Sequence, residues 1–115
     1  RKSISQKSSN SYVKAKKKIL VDEDFNLFTS LKSLWHSIRI VDFGTQIAKY
    51  GFIKDYESVN HYYNKINNDY LKFDSFEIRK DFWDFIHNKY KPIFNNYLKE
   101  FRKFAPKENK NENKP

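Results

Sequence analysis

The stretch IAKYGFIKDYESVNHYYNKI, residues 47–66, decides how this chain is read. It has the outline of a helix end, a glycine stop at Gly51 and a second, longer helix. Gly51 can take the positive φ that ends a helix because it has no Cβ, and Phe52 is placed as the apolar residue that folds back on such an end. The following helix is expected to start near Asp55. Ile53, Tyr56, Val59, Tyr63, Ile66 and Tyr70 recur along it at steps of three and four, close to a heptad seam. The outline fits a DNA-reading helix-turn-helix and also the corner of a helical scaffold.

On the N-terminal side, VDEDFNLFTSLKSLWHSI (residues 21–38) opens with acids that favour a helix start. Phe25, Phe28, Leu31, Leu34, Trp35 and Ile38 then make one apolar stripe. A separate short helix is predicted from Asp42, a plausible N-cap, to Gly51. On the C-terminal side, DSFEIRKDFWDFIHNKYKPIFNNYLKEFRKF (residues 74–104) begins with Asp74 and Glu77 at capping-box spacing. Phe82, Ile86, Tyr90, Ile93, Tyr97, Phe101 and Phe104 stay in helical phase across Pro92, which predicts a kinked long helix or a break at Lys91. A second line of Trp83, Tyr90, Phe94 and Leu98 flanks the first. So much apolar surface needs a bundle around it or another chain, and the second is expected, because little else in the sequence could wrap it.

The formal charge of +9 is carried by the ends: residues 1–18 hold +7 with no acid, while 19–105 and 106–115 hold +1 each. Residues 1–18, RKSISQKSSNSYVKAKKK, read as a basic polar extension unable to fold alone, either a mitochondrial presequence remnant or a binding arm. Residues 106–115 read as a polar, low-complexity tail. The expected architecture is therefore all-α and elongated. A small helical corner and long helices occupy residues 19–105, between unstructured tails.

Catalytic patterns are missing. The chain has no Cys and two Gly, which excludes a disulfide framework, thiolate metal sites and a Gly-rich phosphate loop. His36, His61 and His87 do not pair at metal-ligand spacing, and Asp81, Asp84 and His87 read as a solvated helix side. Ser33, Ser58 and Ser75 have no histidine in motif context. No enzymatic activity, cofactor or metal is expected. As a recognition helix, DYESVNHYYNKI offers Asn60, Asn64 and Lys65 to base edges but brings Asp55 and Glu57 toward phosphates. Lys16, Lys17 and Lys18 beside Ile19, Leu20 and Val21 could meet anionic lipid headgroups peripherally.

Val41-Asp42-Phe43, then Ala48-Lys49-Tyr50-Gly51, the apolar pair Phe52-Ile53, Asp55 and Tyr56-Glu57 together resemble subunit d of the peripheral stalk of mitochondrial F-type ATP synthase. The resemblance covers roughly residues 34–104, with the segment from Phe76 to Phe104 where the family has its long charged helix. It implies a non-catalytic subunit on the matrix side of the mitochondrial inner membrane. Such a subunit ties the catalytic head to the stator of a proton-transporting ATP synthase through helical seams with other subunits. The seams expected to meet partners are Tyr56, Val59, Tyr63 and Ile66, and Phe82, Ile86, Ile93, Tyr97 and Phe101. Asp42, Phe43 and Gly51 are expected to build the corner. The alternatives are a homeodomain-like or Myb-like DNA-binding module, with nucleic acid the less favoured partner, and an accessory subunit of another organellar complex such as the mitochondrial ribosome or respiratory chain.

Overall fold

The computed structural model describes residues 2–105, and the expected polar tail at 106–115 lies outside them. Four helices follow one another: α1 (Lys2–Leu20), α2 (Leu27–Tyr50), α3 (Asn60–Tyr70) and α4 (Arg79–Phe104), with short 3-10 turns at Asp22–Asp24 and Phe73–Ser75. No strand occurs among the described residues, as the all-α expectation had it. The molecule is elongated, 55 × 30 × 19 Å, with a radius of gyration of 15.8 Å. A compact chain of about 100 residues would have ~13 Å.

The largest correction concerns the N-terminus. Far from an unstructured extension, residues 2–20 form a helix that packs most extensively on α2 and also reaches α4. Its inward line is Ser8, Tyr12, Ala15 and Ile19, all buried, with Ile4 packed against the same core. These recur at steps of four and three, so α1 has a helical face after all, made of small as well as apolar residues. Ser8, Ala15, Ser30, Ser33 and Ser37 are buried, and the hydroxyls of Ser11 and Ser30 donate across the α1–α2 seam to the carbonyls of Ser33 (2.7 Å) and Ala15 (2.6 Å). Burying a hydroxyl without a partner would be costly; these are partnered.

After a tight reversal, Asn26 caps α2 by accepting the Thr29 amide at 3.0 Å. The helix then runs 24 residues without interruption, so Asp42 stands in its middle and is not an N-cap. Leu31, Leu34, Ile38, Val41 and Thr45 keep one buried stripe in phase through that point, which is why no break forms. Gly51 ends α2 as expected, with φ of +82° and its amide bonded to the Ile47 carbonyl. Phe52 is exposed and lies beside Tyr50, ring centroids 6.4 Å apart.

The start of α3 is displaced from Asp55 to Asn60. The Asp55 carboxylate accepts the Glu57 amide, and the Gln46 side chain takes the Lys54 and Asp55 amides, holding residues 54–57 in a turn. Likewise Asp74 and Glu77 do not cap α4, which begins at Arg79 after the Phe73–Ser75 turn. From there α4 continues through Pro92 without the break considered from sequence. Pro92 lies on the exposed side, and the carbonyl its missing N–H would have met belongs to Asn88, also exposed, where water can satisfy it. At ~1.5 Å per residue the helix is about 39 Å long.

The core is aromatic, as the composition predicts. Phe82 meets Phe73 and Phe76 edge-on at 5.1 and 5.4 Å, and Tyr12 stacks on Phe94 at 5.2 Å. Most of both stripes of α4 is therefore covered within one chain: Phe82, Trp83, Ile86, Tyr90, Phe94, Leu98 and Phe101 are buried, Ile93 and Tyr97 half-buried, and Phe104 exposed. Helix α1 is the cover that the sequence reading lacked.

Candidate partner-binding surface

That cover decides which of the predicted interface residues can meet another molecule. Val59, Ile66, Phe82, Ile86 and Phe101 are at most 2% exposed, so they serve the chain's own core and are corrected as partner contacts. Ile93 and Tyr97 are half-buried against that core. Burial and the neighbouring Tyr62 hydroxyl raise the Tyr97 phenol above its ordinary range. Tyr56 and Tyr63 remain on the surface, 64% and 41% exposed.

Of the three corner residues, Asp42 and Phe43 each meet the segment that follows Gly51, while Gly51 itself only ends α2. Inside α2, Asp42 accepts from the Gln46 Nε2 at 2.8 Å and from the Ser58 hydroxyl in a short contact. Gln46 is the centre of this knot. Its amide nitrogen also donates to the Asp55 carbonyl at 2.9 Å, and its oxygen accepts the Lys54 and Asp55 amides at 2.9 and 2.7 Å. Residues 51–59 are thereby tied to α2 by one buried side chain. Phe43 packs edge-on to Tyr56 with centroids 5.6 Å apart, and the Arg39 guanidinium lies over its ring at 5.0 Å. Gln46 was not singled out from sequence; its signal was the four-residue spacing from Asp42, a pair that meets on one helix face.

One apolar surface lies at the corner and another beside the first half of α2. Ile47, Tyr50, Phe52 and Tyr56 are exposed around Gly51, with Phe52 60% exposed. Between α2 and α3 lies a cleft of about 130 Å³ lined by Phe28, Leu31, Lys32, Trp35, Tyr63, Ile66, Asn67 and Tyr70. The Trp35 indole N–H is spent on the Val59 carbonyl at 3.0 Å, and its ring meets Tyr63 edge-on at 5.3 Å, so the walls present chiefly apolar faces. A lined apolar cavity of ~150 Å³ admits a benzene ring, so this cleft has room for one partner side chain of that size.

Chemistry gathers nowhere in the same way. Among the described residues no three His, Asp or Glu side chains group as metal ligands do, and no helix is long and apolar enough to cross a membrane. The one buried carboxylate among the described residues is held by hydrogen bonds to α4. Asp69 at the end of α3 accepts from the Tyr90 hydroxyl (2.5 Å) and from Lys89 Nζ (2.9 and 3.1 Å) on α4. Burial alone would raise its pKa, but these hydrogen bonds, with the charges of Lys89 and Lys72, hold it below the ordinary carboxylate value. Of the predicted recognition helix, Asn60, Asn64 and Lys65 are exposed on α3. The α2–α3 connection takes residues 51–59, however, longer than the turn of about 3–4 residues in a helix-turn-helix.

No family model, curated protein or solved structure matches the chain.

Proposed function

We propose that this chain is a non-catalytic structural subunit of a larger assembly, docking partner helices around the Gly51 corner. The observation that carries the reading is the uncovered apolar surface there. Tyr50 and Phe52 stand exposed beside each other at the end of α2, and Ile47 and Tyr56 are exposed on either side of Gly51 in the chain. Monomeric proteins rarely leave several neighbouring aromatics in water without a use for them. Obligate interfaces draw on just such residues.

The assembly proposed is the peripheral stalk of the mitochondrial ATP synthase, on the matrix side of the inner membrane. Its support is the resemblance of residues 41–57 to the stalk subunit d pattern, since the exposed corner aromatics fall inside that pattern. The rigid α2 and α4 rods, 24 and 26 residues long, have the form a torque-bearing strut requires.

Co-purification of the tagged full chain in mild detergent, followed by native electrophoresis and mass spectrometry, tests both levels. Recovery with ATP synthase subunits is expected. Phe52→Asp with Tyr56→Asp should abolish incorporation while leaving the isolated chain folded. A chain that runs free, or that travels with a ribosome or respiratory complex, defeats the stalk assignment. Incorporation unaffected by the double substitution defeats the corner as the docking surface.

A further inference from the structure

Opposite its seam with α2, helix α1 carries a row of cations with no acid among them. At about 100° per residue, Lys7, Val13, Lys14, Lys17 and the following Val21 fall within one sector, and all five are exposed. Lys32 of α2 is exposed at the rim of the α2–α3 cleft. His36, beside it, is held below the usual histidine range by burial first and then by the charges of Arg39, Lys32 and Lys14, so cations of both helices act on one region. Of the acids that follow α1, Asp22 pairs with Arg79 and Asp24 with Lys18 at 2.7 Å, while Glu23 is exposed and in none of the ion pairs of the described residues. Among the described residues Lys7, Lys14, Lys17 and Lys32 have no ion-pair partner.

We propose that this face lays α1 along an anionic bilayer surface. Four features favour lipid over nucleic acid. The cations of α1 in the described face are lysines, compact charges on flexible stems that suit a mobile headgroup layer. The nearby arginine, Arg39, stacks on the rings of Trp35 and Phe43 and does not present its fork outward for bidentate phosphate or base contacts. Val13 and Val21, 49% and 40% exposed, stand between the lysines; they gain by reaching the headgroup–acyl boundary and have nothing to meet on a phosphate backbone. The amides able to read base edges, Gln6 and Asn10, bond each other at 3.0 Å, and Tyr12, the α1 aromatic that could stack on bases, is buried. The lipid patch considered from sequence, Lys16 to Lys18 with Ile19 to Val21, is kept in part, with Lys16, Lys17 and Val21 exposed. Lys18 is paired and Ile19 fully buried. The inference does not rest on the stalk reading, and a negative co-purification would leave it standing.

Flotation of the full chain with vesicles tests it. Phosphatidylcholine vesicles with about one-third phosphatidylserine should bind the chain, pure phosphatidylcholine should not, and added salt should release it. Lys14→Gln with Lys17→Gln should weaken binding roughly ten- to thirtyfold, the share two surface lysines carry, whereas the equal charge change Lys99→Gln with Lys103→Gln on α4 should not. Val13→Ser with Val21→Ser should weaken vesicle binding too. Far-UV circular dichroism checks that each variant keeps its helices. Equal binding to neutral vesicles, equal loss from the α4 pair, or tighter lysine-dependent binding to a DNA duplex at the same salt would each overturn the proposal, the last by giving the face to nucleic acid.

Discussion

Helix α2 is covered by α1 and by α4, and the two covers are built on opposite principles. Its contact with α1 uses small side chains, Ser8, Ala15, Ser30, Ser33 and Ser37, with the Ser11 and Ser30 hydroxyls bonded across the gap and glycine at one end. The α4 cover is bulky, with Phe82, Ile86, Tyr90, Phe94 and Phe101 buried. The first seam gains from close backbone approach and satisfied hydroxyls, the second from apolar area removed from water. The small seam should resist truncation and fail on growth, and the bulky seam should do the reverse.

The largest effect should follow from emptying the bulky side. Phe82 is fully buried and touches Phe73 and Phe76. Phe82→Ala should cost about 3–5 kcal/mol, transfer and cavity together. Urea unfolding of the two proteins measures it, and a loss below ~1 kcal/mol would mean that the aromatic cluster collapses to fill the space and is no rigid seam.

Next is a charged latch that ties α3 to the bulky helix α4. Asp69→Asn keeps the shape and one acceptor for Tyr90 but removes the charge that Lys89 meets, a loss of about 2 kcal/mol for a partly solvated pair. Because the folded pKa of Asp69 lies below its unfolded value, its stabilisation is present above the unfolded value and is lost as pH falls through the folded one. The wild-type stability should therefore drop faster than that of Asp69→Asn as pH is lowered below about 4. Parallel acid limbs in the two proteins would show that the pair contributes nothing to linkage.

The same contrast explains what was legible beforehand. The all-α class and the aromatic core followed from large residues at helical spacing, and the Gly51 stop from a residue whose φ requirement is local. Helix α1 was illegible by hydropathy, because its buried face includes Ser8 and Ala15, and small residues count for little on an apolar scale. Only their steps of four and three, together with Ile4, Tyr12 and Ile19, carried the signal. Missing it left the Trp83 and Phe94 side of α4 without its Tyr12 cover, while Phe82 is closed over by Phe73 and Phe76 of the turn before α4. Asp42 misled differently: it is a good cap residue, but Gln46 and Ser58, four and sixteen positions on, take its carboxylate. No local pattern announces the second of these.

Growth on the small side comes third. A Cβ at Gly44 would stand 2.9 Å from Ile4 Cγ2 and 3.1 Å from Phe101 Cε1, where α1, α2 and α4 converge. Gly44→Ala gains about 1 kcal/mol of helix propensity, which offsets much of that crowding, so a small net change is expected. Gly44→Val has no such compensation and should cost about 1–3 kcal/mol. Ile4→Ala should relieve part of it, which a double-mutant cycle in urea would reveal as coupling. Simple additivity would separate Gly44 from the seam.

The smallest effect belongs to the other glycine and sharpens the distinction, because nothing crowds it. Around Gly51 no atom lies within 4 Å of where a Cβ would be, yet its φ is +82°. Its constraint is purely conformational, whereas that of Gly44 is purely steric. Gly51→Ala should cost about 1 kcal/mol, and Gly51→Asn less, since asparagine tolerates the left-handed region. Gly51→Val should cost more than either, since β-branching adds χ1 strain there. No second-site change in a neighbouring side chain should rescue these variants, because no neighbour is displaced. If trimming Phe52 or Tyr50 did restore stability, the corner would be held by packing, and the two glycines would differ only in degree.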